Sequence, residues 1–305
     1  MKNFYEQVDA NNFRSGLVIT GFIAFIAVAS YLITYAMGFD YSFIGIALII
    51  SGLLSFASFY YSDSIILSIS GAKEANRKDY FDFYTVTENL SHVAGIPMPK
   101  LYVIDDTAMN AFATGRDPQH AVVCATTGIL AKLNRTELEG VVAHELSHVK
   151  NYDTRLMGIV TILVGLVTLL ADILLRTRIR GRDRDDDGNL GMILFIVGIV
   201  LALLSPIIAQ LIQLAISRRR EFLADASGAA LTKYPEGLAS ALEKISQDKE
   251  PLEAANKATA HLYIANPFHL DSSPSKLQRS MAIGWFAGLF NTHPPVKERI
   301  KALRG

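Results

Sequence analysis

Four long apolar runs restrict the fold of this chain more than any other feature of its sequence. Two lie near the start, at residues 15–39 and 41–62, and two lie further on, at residues 156–175 and 189–217. Each run holds at most one charged residue. A helix needs about 20 apolar residues to cross the hydrocarbon layer of a bilayer, so every run is long enough. The sequence therefore predicts a predominantly helical integral membrane protein.

The first pair of runs predicts an N-terminal transmembrane hairpin, because only Asp40 separates them. A cleaved signal peptide is the alternative, since Ala27-Val28-Ala29 resembles a cleavage site. The apolar run continues ten residues past that point, however, and a second run follows. Lysine and arginine flank the pair and are missing from the loop at Asp40, which predicts that both flanks lie in the cytoplasm.

The second pair of runs leaves two topologies open. The connection at residues 176–187 carries five arginines and four aspartates. If both runs cross the bilayer, those arginines lie on the far side, against the positive-inside tendency. Alternatively, the hairpin enters the membrane, lies along it, or packs into the protein without crossing. Either way the chain returns to the cytoplasmic side, where residues 68–154 and 218–305 have soluble compositions.

A metal-binding pattern stands between the two pairs of runs. His144 and His148 are four residues apart with Glu145 beside them, the H-E-x-x-H arrangement of a zinc-dependent peptidase. On a helix the two imidazoles share one face and can both reach one tetrahedral metal. The intervening carboxylate can then act as general base toward a water molecule. The short pattern also occurs by chance, so its context matters.

The third ligand is predicted after the second pair of runs. Glu221 and Asp225 are spaced to share one face of a helix, and Glu221 follows His148 by 73 residues. A catalytic zinc typically takes three protein ligands and leaves one position open, and two histidines with one glutamate are a recognised set. A structural zinc would need a fourth ligand, and none is evident beside these motifs.

Sequence patterns around the H-E-x-x-H motif predict several strands and helices. Leu101–Ile104 predicts a short strand, and residues 110–114 and 121–124 predict a hairpin across a turn-rich connection. Thr136 and Glu139 predict a capping box that opens the histidine-bearing helix. Helices are also predicted at residues 80–93, 237–245 and 296–303.

Several ordered motifs resemble those of the HtpX-type membrane zinc metallopeptidases, which are related to the CaaX prenyl-protein proteases. They are N-A-F-A-T-G at 110–115, H-E-L-S-H at 144–148, N-x-D at 151–153, S-R-R-R-E-F-L-A-D at 217–225 and T-H-P-P at 292–295. The resemblance implies an α+β, zincin-like peptidase domain with a small sheet. That domain would consist of residues 68–154 and 218–305, joined by a hydrophobic hairpin at 155–217 and preceded by an anchor at 1–67.

The resemblance also implies roles for single residues. His144, His148 and Glu221 would bind one Zn²⁺ per chain, and Glu145 would be the catalytic base. Asp225 would orient a ligand histidine, and His293 would stabilise the oxyanion. The strand formed by Asn110, Ala111, Phe112 and Ala113 would bind an extended substrate by main-chain hydrogen bonds.

The implied activity is endopeptidase cleavage of misfolded or damaged membrane proteins in the cytoplasmic membrane, as part of protein quality control. Both metal-binding segments adjoin apolar runs, so we expect the zinc near the membrane surface, facing the cytoplasm. CaaX-type processing of prenylated proteins, or a non-catalytic scaffold with a structural metal, are the alternatives. The formal net charge of zero gives no indication of a nucleic-acid partner. The sequence makes no prediction about oligomeric state.

Overall fold

The computed structural model describes most of the chain outside the second apolar pair. The described residues are 12–24, 27–28, 31, 40, 42–163, 218–254, 259, 262–265 and 294–305. The prediction that residues 156–217 form a hairpin therefore falls largely outside the described residues. The oxyanion role of His293 falls wholly outside them.

The N-terminal part is helical wherever it is described. Residues 12–24 form α1, and α2 (Ser42–Tyr60) is followed after a one-residue break by α3 (Ser62–Ile69). Among the described residues no single helix is long and apolar enough to cross a membrane. The pair Ile44–Tyr60 and Ser62–Ile69, bent by 79°, meets that requirement when taken together.

A four-stranded mixed sheet forms between residues 73 and 126. Its strands are β1 (Lys73–Glu74), β2 (Lys100–Ile104), β3 (Ala111–Thr114) and β4 (Val122–Thr126), and the spatial order is β1-β2-β4-β3. β2 and β4 run parallel, whereas β3 is antiparallel to β4, with Phe112 opposite Cys124. The predicted strand and hairpin are confirmed, and a 3₁₀ turn at Pro118–His120 lies in the hairpin connection. β3 is thus an edge strand.

Helices cover both faces of this sheet, which explains why β4 is apolar at almost every position. Val123, Ala111 and Ala113 belong to a core that also includes α4 (Phe81–Ala94) and α6 (Arg135–Lys150). Phe112 and Cys124 face the opposite side, where α3 and α7, helical over residues 153–163, pack. Between β4 and α6 lies the short helix α5 (Thr127–Lys132).

The start of α6 differs from the prediction. The capping box consists of Asn134 and Glu137, not Thr136 and Glu139. The Asn134 side chain accepts a hydrogen bond from the Glu137 N–H at 3.0 Å, and the Glu137 carboxylate accepts one from the Asn134 N–H at 2.9 Å. Asparagine is as good an N-cap as threonine, so the T-x-x-E pattern two residues later was misleading.

Three further helices lie among the described residues after 217. They are α8 (described from Arg218 to Thr232), α9 (Pro235–Gln247) and α10 (Val296–Arg304). α9 packs on α6 so closely that a Cβ at Gly140 would lie 2.5 Å from the backbone nitrogen of Leu238. The helices predicted at 237–245 and 296–303 are confirmed. α6 is therefore enclosed by the sheet and by α4, α8 and α9.

Candidate metal centre

The middle of α6 carries three polar side chains that are buried. His144, Glu145 and His148 are 1%, 3% and 5% exposed, although the surrounding helix packs into the core. Burying polar groups is unfavourable unless they are satisfied by hydrogen bonds, charges or a metal ion. The contacts of these three residues therefore indicate what the site is built to hold.

Glu221 reaches the site from α8, which crosses α6 at close range. A Cβ at Gly228 would lie 3.0 Å from the backbone nitrogen of His144 and 3.2 Å from the carbonyl carbon of Ala143. Glycine at this crossing lets the two helix backbones approach closely. As a result Glu221, which is 2% exposed, lies directly beside the two histidines.

The three candidate ligands converge on one point. Their ligand atoms all lie within 4.8 Å of one another. The Nε2 atoms of His144 and His148 are 3.2 Å apart, and Glu221 oxygens lie 3.8 Å and 3.6 Å from them. Two nitrogens bound tetrahedrally at 2.0–2.1 Å from one zinc would be about 3.3 Å apart. The spacing therefore fits a single tetrahedral metal ion with one position left open.

Both imidazoles are oriented by carboxylates on their other nitrogen. Nδ1 of His144 lies 2.9 Å from Asp225 Oδ1, and Nδ1 of His148 lies 3.1 Å from Asp153 Oδ2. An Nδ1–H donated to a carboxylate leaves Nε2 deprotonated and directed at the metal position. Asp153 is brought back toward His148 by Tyr152, whose φ of 59° reverses the chain just after α6.

Acidic side chains surround the site. Four carboxylates, those of Glu145, Asp153, Glu221 and Asp225, are buried around it, together with the guanidiniums of Arg220 and Arg299. Buried carboxylates are stabilised by paired cations or by a bound metal ion, so this acidic environment is a second reason to assign a metal here.

Arg299 is a residue of the site that the sequence reasoning missed. Its side chain on α10 is fully buried and binds both carboxylate oxygens of Asp225. Its Nη1 also lies 3.6 Å from Glu221 Oε2. A signal was available, since Val296, Arg299, Ile300 and Leu303 have the spacing of one buried helical face. An arginine within such a stripe needs a buried partner.

Glu145 is poised as a base. Burial raises its pKa to about 7, and the neighbouring Glu221 charge also raises it, while His148, Arg299 and the Ala113 N–H act in the opposite direction. A group with a pKa near the working pH accepts and returns protons most effectively. A bound divalent cation would lower the pKa of Glu145, because its positive charge favours the ionised carboxylate.

The two histidines differ in their titration. Burial is the largest influence on each and lowers its pKa. For His148 this is outweighed by the hydrogen bond to Asp153 and by the charges of Glu221, Asp153 and Glu145, so that the pKa rises to about 9. For His144 burial prevails and the pKa is lowered. The negative surroundings that hold a proton on His148 equally favour a metal cation, whose binding would displace that proton.

The predicted substrate strand lies next to this centre. Ala113 lines the same cavity as His144, Glu145, His148 and Glu221, and its backbone N–H lowers the pKa of the Glu145 carboxyl. Residues 111 and 113 alternate with Phe112 in the antiparallel pair, so their main-chain groups face away from β4. Asn110 precedes the strand, and its side-chain amide bonds to the main chain of Ala265.

Comparison with known proteins identifies the class. The model of Peptidase family M48 matches residues 78–305, about three quarters of the chain and all of the site described above. The chain belongs to this family and is a metallopeptidase that acts on polypeptides. The structure agrees in being an α+β protein, rich in helices, with a small sheet.

Two individual relatives within this family carry the same name. A protein named Protease HtpX homolog from Dictyoglomus turgidum is 45% identical over 99% of this chain and 94% of its own length. Another from Caldanaerobacter subterraneus is 40% identical over 99% of this chain and 98% of its own length. These matches confirm the resemblance to the HtpX-type peptidases and favour neither CaaX-type processing nor a scaffold role.

A solved structure shares the fold. The crystal structure of S. mikatae Ste24p aligns with a TM-score of 0.50 and 18% sequence identity, covering 98% of this chain and 67% of that one. At this identity the likeness extends to the arrangement of the backbone only.

Proposed function

We propose that the chain is a zinc-dependent endopeptidase of the cytoplasmic membrane that cleaves misfolded or damaged membrane proteins in protein quality control. His144, His148 and Glu221 bind the zinc ion, and Glu145 is the catalytic base. The observation that carries this proposal is the convergence of three ligands, 3.2 to 3.8 Å apart, beside a buried carboxylate that is not one of them.

The metal ion and the protein side chains have different roles in the proposed reaction. When bound, zinc supplies Lewis acidity that acidifies water and polarises the scissile carbonyl. Glu145 takes the proton of the attacking water and passes it to the nitrogen of the departing amine. Asp225 and Asp153 hold the two imidazoles in the tautomer that binds metal. His293 is proposed as a hydrogen-bond donor to the oxyanion.

The substrate would lie along β3. An extended peptide pairs with an open strand edge through main-chain hydrogen bonds, which depend little on its side chains. Ala111 and Ala113 offer such groups, and Asn110 adds a side-chain amide at the start of the strand. Low sequence selectivity suits an enzyme that removes many damaged proteins.

A location at the membrane is supported by the apolar helices. Ile46, Ile49, Leu53 and Phe56 on α2 are each more than half exposed. An exposed apolar surface of this kind favours contact with lipid. The named HtpX relatives match through this region as well. We propose that residues 1–67 and 155–217 form membrane hairpins and that residues 68–154 and 218–305 form one cytoplasmic peptidase domain.

Replacing the proposed base tests the mechanism. In Glu145→Gln we expect hydrolysis of an unfolded protein substrate to fall at least a thousandfold while one zinc ion per chain remains bound. Glu139→Gln is the matched control, because Glu139 lies on the same helix, partly exposed and paired with Arg135 at 3.4 Å. Hydrolysis by Glu145→Gln at the rate of the control would overturn the assignment.

The substrate class needs a separate experiment. Reconstituted enzyme should cleave a destabilised membrane protein in the same liposomes faster than a soluble unfolded protein of equal length. Equal rates, in detergent and in liposomes alike, would show that the enzyme does not select membrane substrates.

A further inference from the structure

The edge of β3 is already occupied by the chain itself. Residues 262–265, here called the edge segment, run beside the strand. The N–H of Ile264 donates to the carbonyl of Ala111 at 2.9 Å. The Asn110 amide donates to the carbonyl of Ala265 at 3.1 Å and accepts from its N–H at 3.4 Å. These are the main-chain contacts that an extended peptide would make.

The side chains of the edge segment pack on both sides of the sheet. Tyr263 is fully buried on the side of the sheet where Phe112 lies, and the two rings meet edge to face at 5.2 Å. Ile264 packs with the core on the α6 side. The segment, a turn followed by bends, therefore lies against the edge of β3 with side chains inserted on both sides of the sheet.

Arg299, which pairs with Asp225 beside the metal centre, also contacts this segment. Nη1 of Arg299 donates to the carbonyl of Ile264 at 3.3 Å, while the rest of the guanidinium binds Asp225. The edge segment is thereby tied to the residues that orient His144.

Two side chains of the edge segment lie against the metal centre. Leu262 and Ile264 line the same cavity as the candidate ligands and Glu145. The main chain of β3 is covered too, because Ala111, Phe112 and Ala113 are at most 3% exposed. A substrate cannot pair with β3 until the edge segment moves away.

We propose that residues 262–265 are a built-in pseudosubstrate that must leave the β3 edge before a polypeptide can bind. This inference rests on the proposed use of β3 as the substrate strand. On release, the carbonyl of Ala111, the amide of Asn110 and Nη1 of Arg299 pass from the edge segment to the substrate main chain. Arg299 is then a substrate-positioning residue as well as a partner of Asp225.

A closed state of this kind changes affinity and leaves the chemical step alone. The apparent dissociation constant equals the intrinsic one divided by the fraction of open molecules. Weakening the edge segment raises that fraction. We therefore expect KM to fall and kcat to stay the same when the contact of Ile264 with Ala111 is removed.

The variant Ile264→Pro removes the N–H that donates to Ala111. We expect KM for an unfolded polypeptide to fall roughly fivefold to tenfold, the effect of losing one hydrogen bond, with kcat unchanged. Ile264→Val keeps the N–H and isolates the side-chain contribution. Lys249→Pro is the control for proline itself, since Lys249 is exposed and follows Asp248, whose extended backbone accepts a proline next.

The rate of zinc removal by a chelator tests the same proposal without any hydrolysis. The rate at which a chelator removes zinc should rise at least fivefold in Ile264→Pro relative to Ile264→Val, because the closed segment covers the metal centre. Equal chelation rates in those two variants, or a higher KM in Ile264→Pro, would overturn the proposal.

The native segment can be followed directly by hydrogen exchange in Glu145→Gln. Saturation with an unfolded polypeptide should speed exchange at residues 262–265 at least tenfold and slow it at residues 111–114. Unchanged or slower exchange at 262–265 in the complex would overturn the proposal. Failure of the zinc-loaded wild type to cut any polypeptide would count against the proposed function, whereas the chelation rates decide the pseudosubstrate independently.

Discussion

Arg299 and Asp225 form a buried two-point ion pair, with Nε to Oδ2 at 2.8 Å and Nη2 to Oδ1 at 2.6 Å. The same Asp225 carboxylate lies 2.9 Å from Nδ1 of His144. The terminal helix thus contributes to the metal centre through one intermediate residue. Asp225 is held ionised by this arrangement: burial would raise its pKa, but His144 and Arg299 lower it to about 2.

Loss of Arg299 should be costly to stability. In Arg299→Met the Asp225 charge stays buried without its partner, so the free energy of unfolding should fall by about 3–5 kcal/mol. Arg304→Met is the matched control on the same helix, because Arg304 pairs with Glu236 at the surface and its loss should cost about 0–1 kcal/mol. Urea unfolding in detergent measures both. Equal losses would show that the buried pair contributes nothing special.

The carboxylates behind the histidines should set metal affinity. Asp225→Asn and Asp153→Asn should each weaken zinc binding by about 10–100-fold, since each amide can no longer fix its imidazole as the carboxylate does. Competition with a chromophoric chelator gives the dissociation constants. Asp82→Asn, which alters an exposed pair with Arg135, serves as control and should bind zinc as the wild type does. Wild-type affinity in both buried variants would contradict this assignment.

The crossing of α6 and α8 should tolerate no added methyl group. In Gly228→Ala the new Cβ meets the backbone at His144 and Ala143, so the helices must separate and carry Glu221 away from the histidines. We expect both a lower thermal unfolding temperature and weaker zinc binding. At Gly52 nothing lies within 4 Å of an added Cβ, and Gly52→Ala should leave zinc affinity unchanged. A Gly228→Ala protein with normal affinity would show that the crossing can relax.

Glu137 should contribute to the acid sensitivity of the fold. Burial favours its neutral form, but hydrogen bonds from Lys244, the Asn134 N–H and Ser240 prevail, and its pKa is lowered. A folded pKa below the unfolded value of about 4.3 means that the contribution is complete above that pH. It is lost as the pH falls through the lowered folded value. Stability measured from pH 7 to pH 3 should therefore fall less steeply in Glu137→Gln than in wild type.

The wild type itself provides the reference for that measurement. Glu137→Gln should also be less stable at neutral pH, by an amount on the order of 1 kcal/mol, because it loses the charged hydrogen bond to Lys244. Parallel stability curves for the two proteins over the whole range would mean that Glu137 does not titrate with unfolding.

The parts of the site that were predictable from sequence are those fixed by helical geometry. The four-residue spacings of His144 with His148, and of Glu221 with Asp225, place each pair on one face wherever a helix forms. Nothing in the sequence states which helices touch. The contact of α8 with α6 depends on Gly228, and that of α10 on Arg299, so these partners become visible only in three dimensions.

The helix-capping pattern predicted the start of α6 less accurately than the four-residue spacings predicted the ligand pairs. Two overlapping capping patterns precede α6, and the sequence does not rank Asn134 with Glu137 above Thr136 with Glu139. The choice is made by tertiary contacts, because Glu137 also accepts hydrogen bonds from Ser240 and Lys244 on α9. Residues 262–265 show no sequence motif, and a short apolar stretch does not predict which strand it will contact.

The distance along the chain between the ligands gives the metal a role apart from chemistry. His148 and Glu221 are 73 residues apart in sequence and meet across α6 and α8. A bound ion therefore joins two helices that are far apart along the chain, and because the unfolded chain holds no preformed site, its binding free energy adds to the stability of the folded state. Loading and removing the metal then changes the stability of the fold, and couples the supply of metal to how long each molecule stays folded.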